Sequence, residues 1–200
     1  MTDPLPSNVF VAIATVLAAL IAGLISVVAL TLTKEQKTSE FRQAWIDGLR
    51  SDLSDYLASA RAMARAIEEL HAFGDRYSTH PFTMRPEQLG EMRQRVAIAL
   101  YRIKLRLNPD EAEHNELLRL LLRITEEQAK YMKTAQASSE KMLQAIEIAA
   151  EFARPVLKAE WKRVKSGEPQ FRHVRNGLVP AVFVLCALFA WIILRTKIAA

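Results

Sequence analysis

Two stretches of this chain carry no charge, and they constrain most of what it can become. No charged residue lies between Asp3 and Lys34, and Val9 to Leu32 is a run of twenty-four nearly apolar residues. A second uncharged run lies between Arg175 and Arg195 and contains the apolar segment Leu178 to Leu194. About twenty helical residues cross the hydrocarbon core of a bilayer, so both runs are expected to span one. Pro180 falls in the first turn of the second run, where a missing N–H costs little. A cleaved signal sequence fits the first run poorly. Asp3 precedes it instead of Lys or Arg, the run is too long, and no small-residue cleavage site follows. A buried core helix fits the second run poorly, because its charged boundaries are abrupt and Trp191 sits near one end, as an interfacial aromatic would.

Basic residues set the expected orientation. None precedes the first run, and only Arg195 and Lys197 follow the second. Lys34, Lys37 and Arg42 flank the first run on its inner side. Lys158, Lys162, Arg163, Lys165, Arg172 and Arg175 approach the second. Residues 1–8 are therefore expected outside, 9–33 as the first span, 34–176 in the cytoplasm, 177–194 as the second span and 195–200 as an external tail. The chain is thus expected to cross its membrane twice. Cys186, the lone cysteine, falls within the second span, which excludes an internal disulfide framework and leaves an inert thiol. Mean hydropathy of +0.03 thus averages two apolar segments against a highly charged middle.

That middle reads as helical, and the fold class expected is all-α: two transmembrane helices flanking a cytoplasmic up-down four-helix bundle. Phe41, Trp45, Leu49, Leu53, Tyr56, Ala60, Met63, Ile67 and Leu70 recur every three or four residues, one face of a long amphipathic helix running on from the first span. Only Gly48 weakens it, and Gly74 ends it ahead of a loop marked by Pro81 and Pro86. Pro86 suits the first turn of a second helix with Leu89, Met92, Val96, Ala99, Ile103 and Leu107 on its apolar face. Asn108-Pro109-Asp110-Glu111 reads as a stop followed at once by a start, with Asn108 as cap, Pro109 in first position and Glu111 as the capping-box acid. Leu117, Leu118, Leu120, Leu121 and Leu122 mark a third helix. A turn is expected at 134–139, because the chain must return to the second span and an even number of helices is needed. Met142, Ile146, Ala149, Ala153, Leu157, Trp161 and Val164 then face the core from a fourth helix, kinked at Pro155.

Catalytic signals are sparse, and no catalytic, cofactor-binding or metal-ligating residue is assigned. There is no Gly-rich phosphate loop, nucleophile elbow or His-Glu zinc signature. Glu68 with His71 and Glu111 with His114 are Glu-x-x-His pairs of the kind that build di-iron sites, but the expected topology sets them at opposite ends of the domain. Arg65 and His71 match the Arg-x4–6-His spacing of small helical RNases, a match that chance alone supplies about once in a chain this rich in arginine. The net charge of +5 implies an anionic partner. Its concentration beside the second span points to anionic lipid headgroups rather than nucleic acid, since no aromatic residues interleave with the basic ones for base stacking.

Small residues stripe the first span. Thr15, Ala19 and Gly23 form one row, and Ala18, Ala22 and Ser26 its neighbour. Such rows let helices approach closely, and they fit either the second span or another copy of the chain. With several copies about an axis, Thr15, Ser26, Thr31 and Thr33 would line a pore.

The blocks Lys37-Thr-Ser-Glu-Phe-Arg-Gln-Ala-Trp-Ile-Asp-Gly-Leu-Arg-Ser-Asp-Leu-Ser54 and Ile103-Lys-Leu-Arg-Leu-Asn-Pro-Asp-Glu-Ala-Glu-His114 resemble a group of bacterial inner-membrane proteins with a helical cytoplasmic domain. That resemblance covers residues 10–125 and brings no catalytic residue. More faintly, the layout is similar to the small membrane accessory protein that accompanies one type of CRISPR locus. That second resemblance implies an oligomeric pore on a degenerate RNase-like helical fold, with Arg106 and His114 at the corresponding helix junction. The function expected is a membrane-anchored, non-enzymatic scaffold, effector or sensor subunit in bacterial stress or phage defence. The alternative is a membrane-tethered helical RNase. The partners expected are the lipid bilayer with its anionic headgroups, further copies of the chain and a protein partner of unknown kind.

Overall fold

The computed structural model describes residues 7–133, 139–167 and 169–198. Among them there is no strand, and nearly every residue is helical. The elements are α1 (Ser7–Phe73), a 3-10 segment (Gly74–Thr79), α2 (Pro86–Arg106), α3 (Ala112–Lys133), α4 (Ser139–Ser166), α5 (Pro169–His173), a π-helical segment (Val174–Leu178) and α6 (Val179–Ile198). The expected turn at 134–139 lies outside the described residues apart from Ser139, which opens α4. The chain divides into two compact units, one of residues 42–162 and one holding the chain on either side of it.

In the central unit, α1, α2, α3 and α4 share one core. Leu49, Tyr56, Ile103, Leu117, Leu121, Ile124 and Met142 are almost completely buried. Burying an aliphatic or aromatic side chain of this size is worth about 1.5–3 kcal/mol. Alanines at 60, 64, 145, 149 and 153 let the backbones of α1 and α4 come close to their neighbours. Tyr56 resolves its polar end by donating to the Leu121 carbonyl at 2.8 Å, with Thr125 Oγ1 at 3.0 Å. A smaller cluster of Met63, Ile67 and Tyr131 continues along α1.

The periodicity of α1 extends past its core. Trp45 is part-buried and Leu49 to Ile67 are buried as expected, but Phe41 is 75% exposed and Leu70 is 41% exposed. Gly74, with φ of +53°, takes the left-handed conformation that stops α1. Pro86 opens α2 as expected, and the Arg85 N–H ahead of it donates to Gln88 Oε1 at 2.9 Å. On α3, Leu117, Leu120 and Leu121 are buried while Leu122 is exposed. On α4, Met142, Ile146, Ala149 and Ala153 are buried and Trp161 is 38% exposed. Pro155 lies inside α4 without interrupting its helical assignment.

The segments Val11–Thr79 and Ser139–Trp191 each contain a helical window long and apolar enough to cross a membrane, with mean hydropathies of 2.7 and 1.7. Neither window has a buried residue. Within the flanking unit the partly covered positions of α1 include Ala14, Leu17, Ile21, Leu24 and Val28, spaced by threes and fours, and those of α6 include Val182, Leu185, Cys186 and Phe189.

Candidate functional site

Polar groups in the central unit converge where α2 turns into α3. Leu107 leaves the helix in extended conformation, and Asn108 precedes a proline, which disfavours helical geometry there. The Asn108 side chain then holds the turn. Its Oδ1 accepts from the Asp110 N–H at 3.1 Å, and its Nδ2 donates to Glu111 Oε1 at 3.1 Å. Asn115 closes the turn by donating to the Pro109 carbonyl at 2.6 Å. Helix α3 begins at Ala112, three residues later than the capping pattern implied. The reason is visible in the bonds. The Asn108 backbone N–H, which a capping-box acid would take, donates instead to His114 Nδ1 at 3.0 Å.

Above this turn lies a buried carboxylate. Asp52 on α1 is only 4% exposed. The Arg106 Nε–H donates to its Oδ2 at 2.7 Å, and Arg102 Nη1 stands 3.8 Å from its Oδ1. A charge this buried is tolerable only when paired and hydrogen-bonded. Glycine at 48 makes the pairing possible. A Cβ built there would lie 2.7 Å from the Arg106 guanidinium carbon, so the guanidinium occupies the space a side chain would fill. The Arg106 carbonyl, at the end of α2 and lacking an intrahelical partner, accepts from Trp45 Nε1–H at 3.1 Å. The Trp45 ring also tilts over the His114 ring with centroids 5.8 Å apart.

His114 is 3% exposed, and Glu111 and Glu160 each place a carboxylate oxygen within 4.8 Å of one of its nitrogens. The Glu111–His114 pair was legible as Glu-x-x-His, but Glu160 was not, because it arrives on α4. Three such groups are a possible ligand set for a divalent cation. The hydrogen bonding argues otherwise. A ring nitrogen that accepts the Asn108 N–H is unprotonated, so the neutral imidazole carries its proton on Nε2. Ligation through Nε2 would move that proton to Nδ1, against the Asn108 N–H, whereas ligand histidines normally donate from the second nitrogen. The cluster is a buried histidine with two carboxylates close by, Glu111 from the turn before α3 and Glu160 from α4.

The other two histidines of the central unit have aromatic neighbours of their own. His71 meets Tyr131 edge-on with ring centroids at 5.0 Å, and His80 stacks on Phe73 at 4.0 Å. Arg65, the partner of His71 in the RNase-like spacing, is held by Glu68 and Glu69, each at 3.0 Å. Arg106, the partner of His114, is held by Asp52.

All six basic residues flanking the second apolar run are exposed. Lys158 and Lys162 belong to the central unit, and Arg163, Lys165, Arg172 and Arg175 to the flanking one. Arg175 lies over the Phe171 ring, 5.5 Å from its centroid. The small residues Thr15, Ala18, Ala19, Ala22, Gly23 and Ser26 are exposed, so they are not the partly covered face of α1. Thr15, Ser26, Thr31 and Thr33 each donate to the carbonyl four residues back at 2.9–3.0 Å, so their hydroxyl protons are spent within the helix.

No protein-family model, curated protein or solved structure matches this chain.

Proposed function

We propose that the chain is a membrane-anchored helical protein of the bacterial inner membrane. In this reading α1 and α6 cross the bilayer, the central unit is an up-down four-helix bundle in the cytoplasm, and both termini lie outside. The bundle serves as a non-enzymatic scaffold, effector or sensor subunit in an oligomer, with stress or phage defence as its setting. The observation that carries the reading is that two apolar windows exist and no residue of either is buried. A soluble core helix of that hydropathy would be covered. The six exposed basic residues support contact with anionic headgroups, each worth about 1 kcal/mol near a charged surface.

The pairing of Arg65 and Arg106 with carboxylates supports the non-enzymatic reading over a tethered RNase. Protease added to inverted membrane vesicles tests the topology. Digestion of the central unit is expected, and its protection overturns the orientation. Replacing His71 and His114 by alanine tests the RNase reading. Loss of ribonuclease activity from a folded, inserted variant would establish it.

A further inference from the structure

The central unit has an open groove between α1 and α2 of about 670 Å³. Its floor is made by Ser59, Ala62, Met92 and Ala99. Its rim carries opposite charges on opposite sides, with Asp55 on α1 and Arg95 and Arg102 on α2. Among the described residues neither Asp55 nor Arg95 has an ion-pair partner in its own chain, and Arg102 reaches Asp52 only at 3.8 Å.

The same side of α2 exposes apolar side chains between its arginines. Arg95, Ile98, Arg102 and Leu105 recur at steps of three and four and so share a stripe. Ile98 is 41% exposed, Leu105 is 85% exposed, and Tyr101 beside them is 65% exposed. Large apolar side chains exposed beside a charged groove mark an interaction site.

We infer that this groove is a contact between two copies of the chain, related by a two-fold axis running along the groove. In an isologous contact the same patch serves both partners, so it must complement itself. An axis along the helices sets α1 of one copy against α2 of the other. Asp55 of each copy then faces Arg95 and Arg102 of its mate, and Ile98 of each lies near the axis. An axis across the helices would set α1 on α1, with Asp55 facing Asp55 and the arginines facing each other. The charge pattern selects the first arrangement. The inference concerns the central unit alone and holds whether or not the apolar helices cross a membrane.

The test is association of the full-length chain in detergent, followed by light scattering across a dilution series. Asp55→Arg alone, and Arg95→Asp with Arg102→Asp, are each expected to weaken the dimer by about tenfold or more, since each reversal occurs twice per contact. Combining the three substitutions is expected to restore it, because the charges are then exchanged rather than lost. Helical circular dichroism of each variant confirms that it is folded. A chain that is monomeric throughout, a combined variant no better than its parents, or three variants that associate like the original each overturn the proposal. As a second measurement, Ile98→Cys in a Cys186→Ser background is expected to form an intermolecular disulfide under mild oxidation. A control cysteine at Arg61, which does not line the groove, is expected not to. Equal crosslinking at both positions also overturns it.

Discussion

Arg106 donates its Nε–H to Asp52 Oδ2 at 2.7 Å, joining the last turn of α2 to the middle of α1 through a carboxylate that is 4% exposed. The arginine is about a third exposed, so the bond is weaker than a wholly interior pair. Removing one partner nonetheless strands the other, and the stranded aspartate is the costlier. Arg106→Met is therefore expected to destabilise the central unit by about 2 kcal/mol, and Asp52→Asn by less. The double variant should recover part of the loss. Urea denaturation of the four proteins of this cycle measures it, and strict additivity would show that the pair is not coupled.

Gly48 supplies a sharper test of the same contact. In an exposed helix, replacing glycine by alanine gains about 1 kcal/mol. Here the new methyl would press on the Arg106 guanidinium at 2.7 Å, and Asp52 holds that guanidinium in place. Gly48→Ala is expected to be neutral or destabilising in the natural chain. In the Arg106→Met background it should become stabilising by about 1 kcal/mol. Thermal melts of both pairs check the change of sign.

Tyr56 gives a pH dependence. Burial raises its pKa above the usual 10.0, and the hydrogen bond with Thr125 opposes this only in part. The folded state thus keeps the phenol proton at pH values where the unfolded chain has lost it. Stability from this group is complete below about pH 10 and is lost as pH rises toward the folded-state value. Tyr56→Phe is expected to cost about 1 kcal/mol at neutral pH through the lost hydrogen bonds to Leu121 and Thr125. It should also flatten the fall in stability above pH 10, read from chemical denaturation at successive pH values.

What could be read from the sequence was what repeats. The stripe from Leu49 to Ile67 on α1, the start of α2 at Pro86 and the stop at Gly74 follow from helical period and from backbone chemistry local to a few residues. Phe41 and Leu70 keep the period but are exposed, because a periodic pattern says which face is apolar and not how completely its neighbours cover it. At Asn108–Glu111 the residue types were right for a cap, but a side chain six residues on competes for the same N–H. The meeting of Glu160 with His114, and of Asp52 with Arg106, depends on the register between helices far apart in the chain. Gly48 was the one local trace of that register. A glycine inside an otherwise strong helix, four residues from an aspartate beside the core stripe, marks a place where another chain segment lies close.

Gly167 makes the corresponding argument where the chain turns between α4 and α5. Its φ of +69° lies in the left-handed region, and a Cβ there would approach Phe171 Cδ1 to 2.7 Å and Glu35 Oε1 to 3.0 Å. Alanine therefore suffers twice, from a backbone conformation that costs an L-residue about 1–2 kcal/mol and from the aromatic ring in its path. Unlike the Arg106 guanidinium, the Phe171 ring is rigid and cannot swing its end aside. Gly167→Ala is expected to loosen the connection between α4 and α5 while leaving the central core intact. Limited proteolysis should cut the variant near residue 167 several times faster than the natural chain, with the melting of residues 42–162 unchanged. Equal cutting rates would show that the turn tolerates a side chain and that the strain argument fails there.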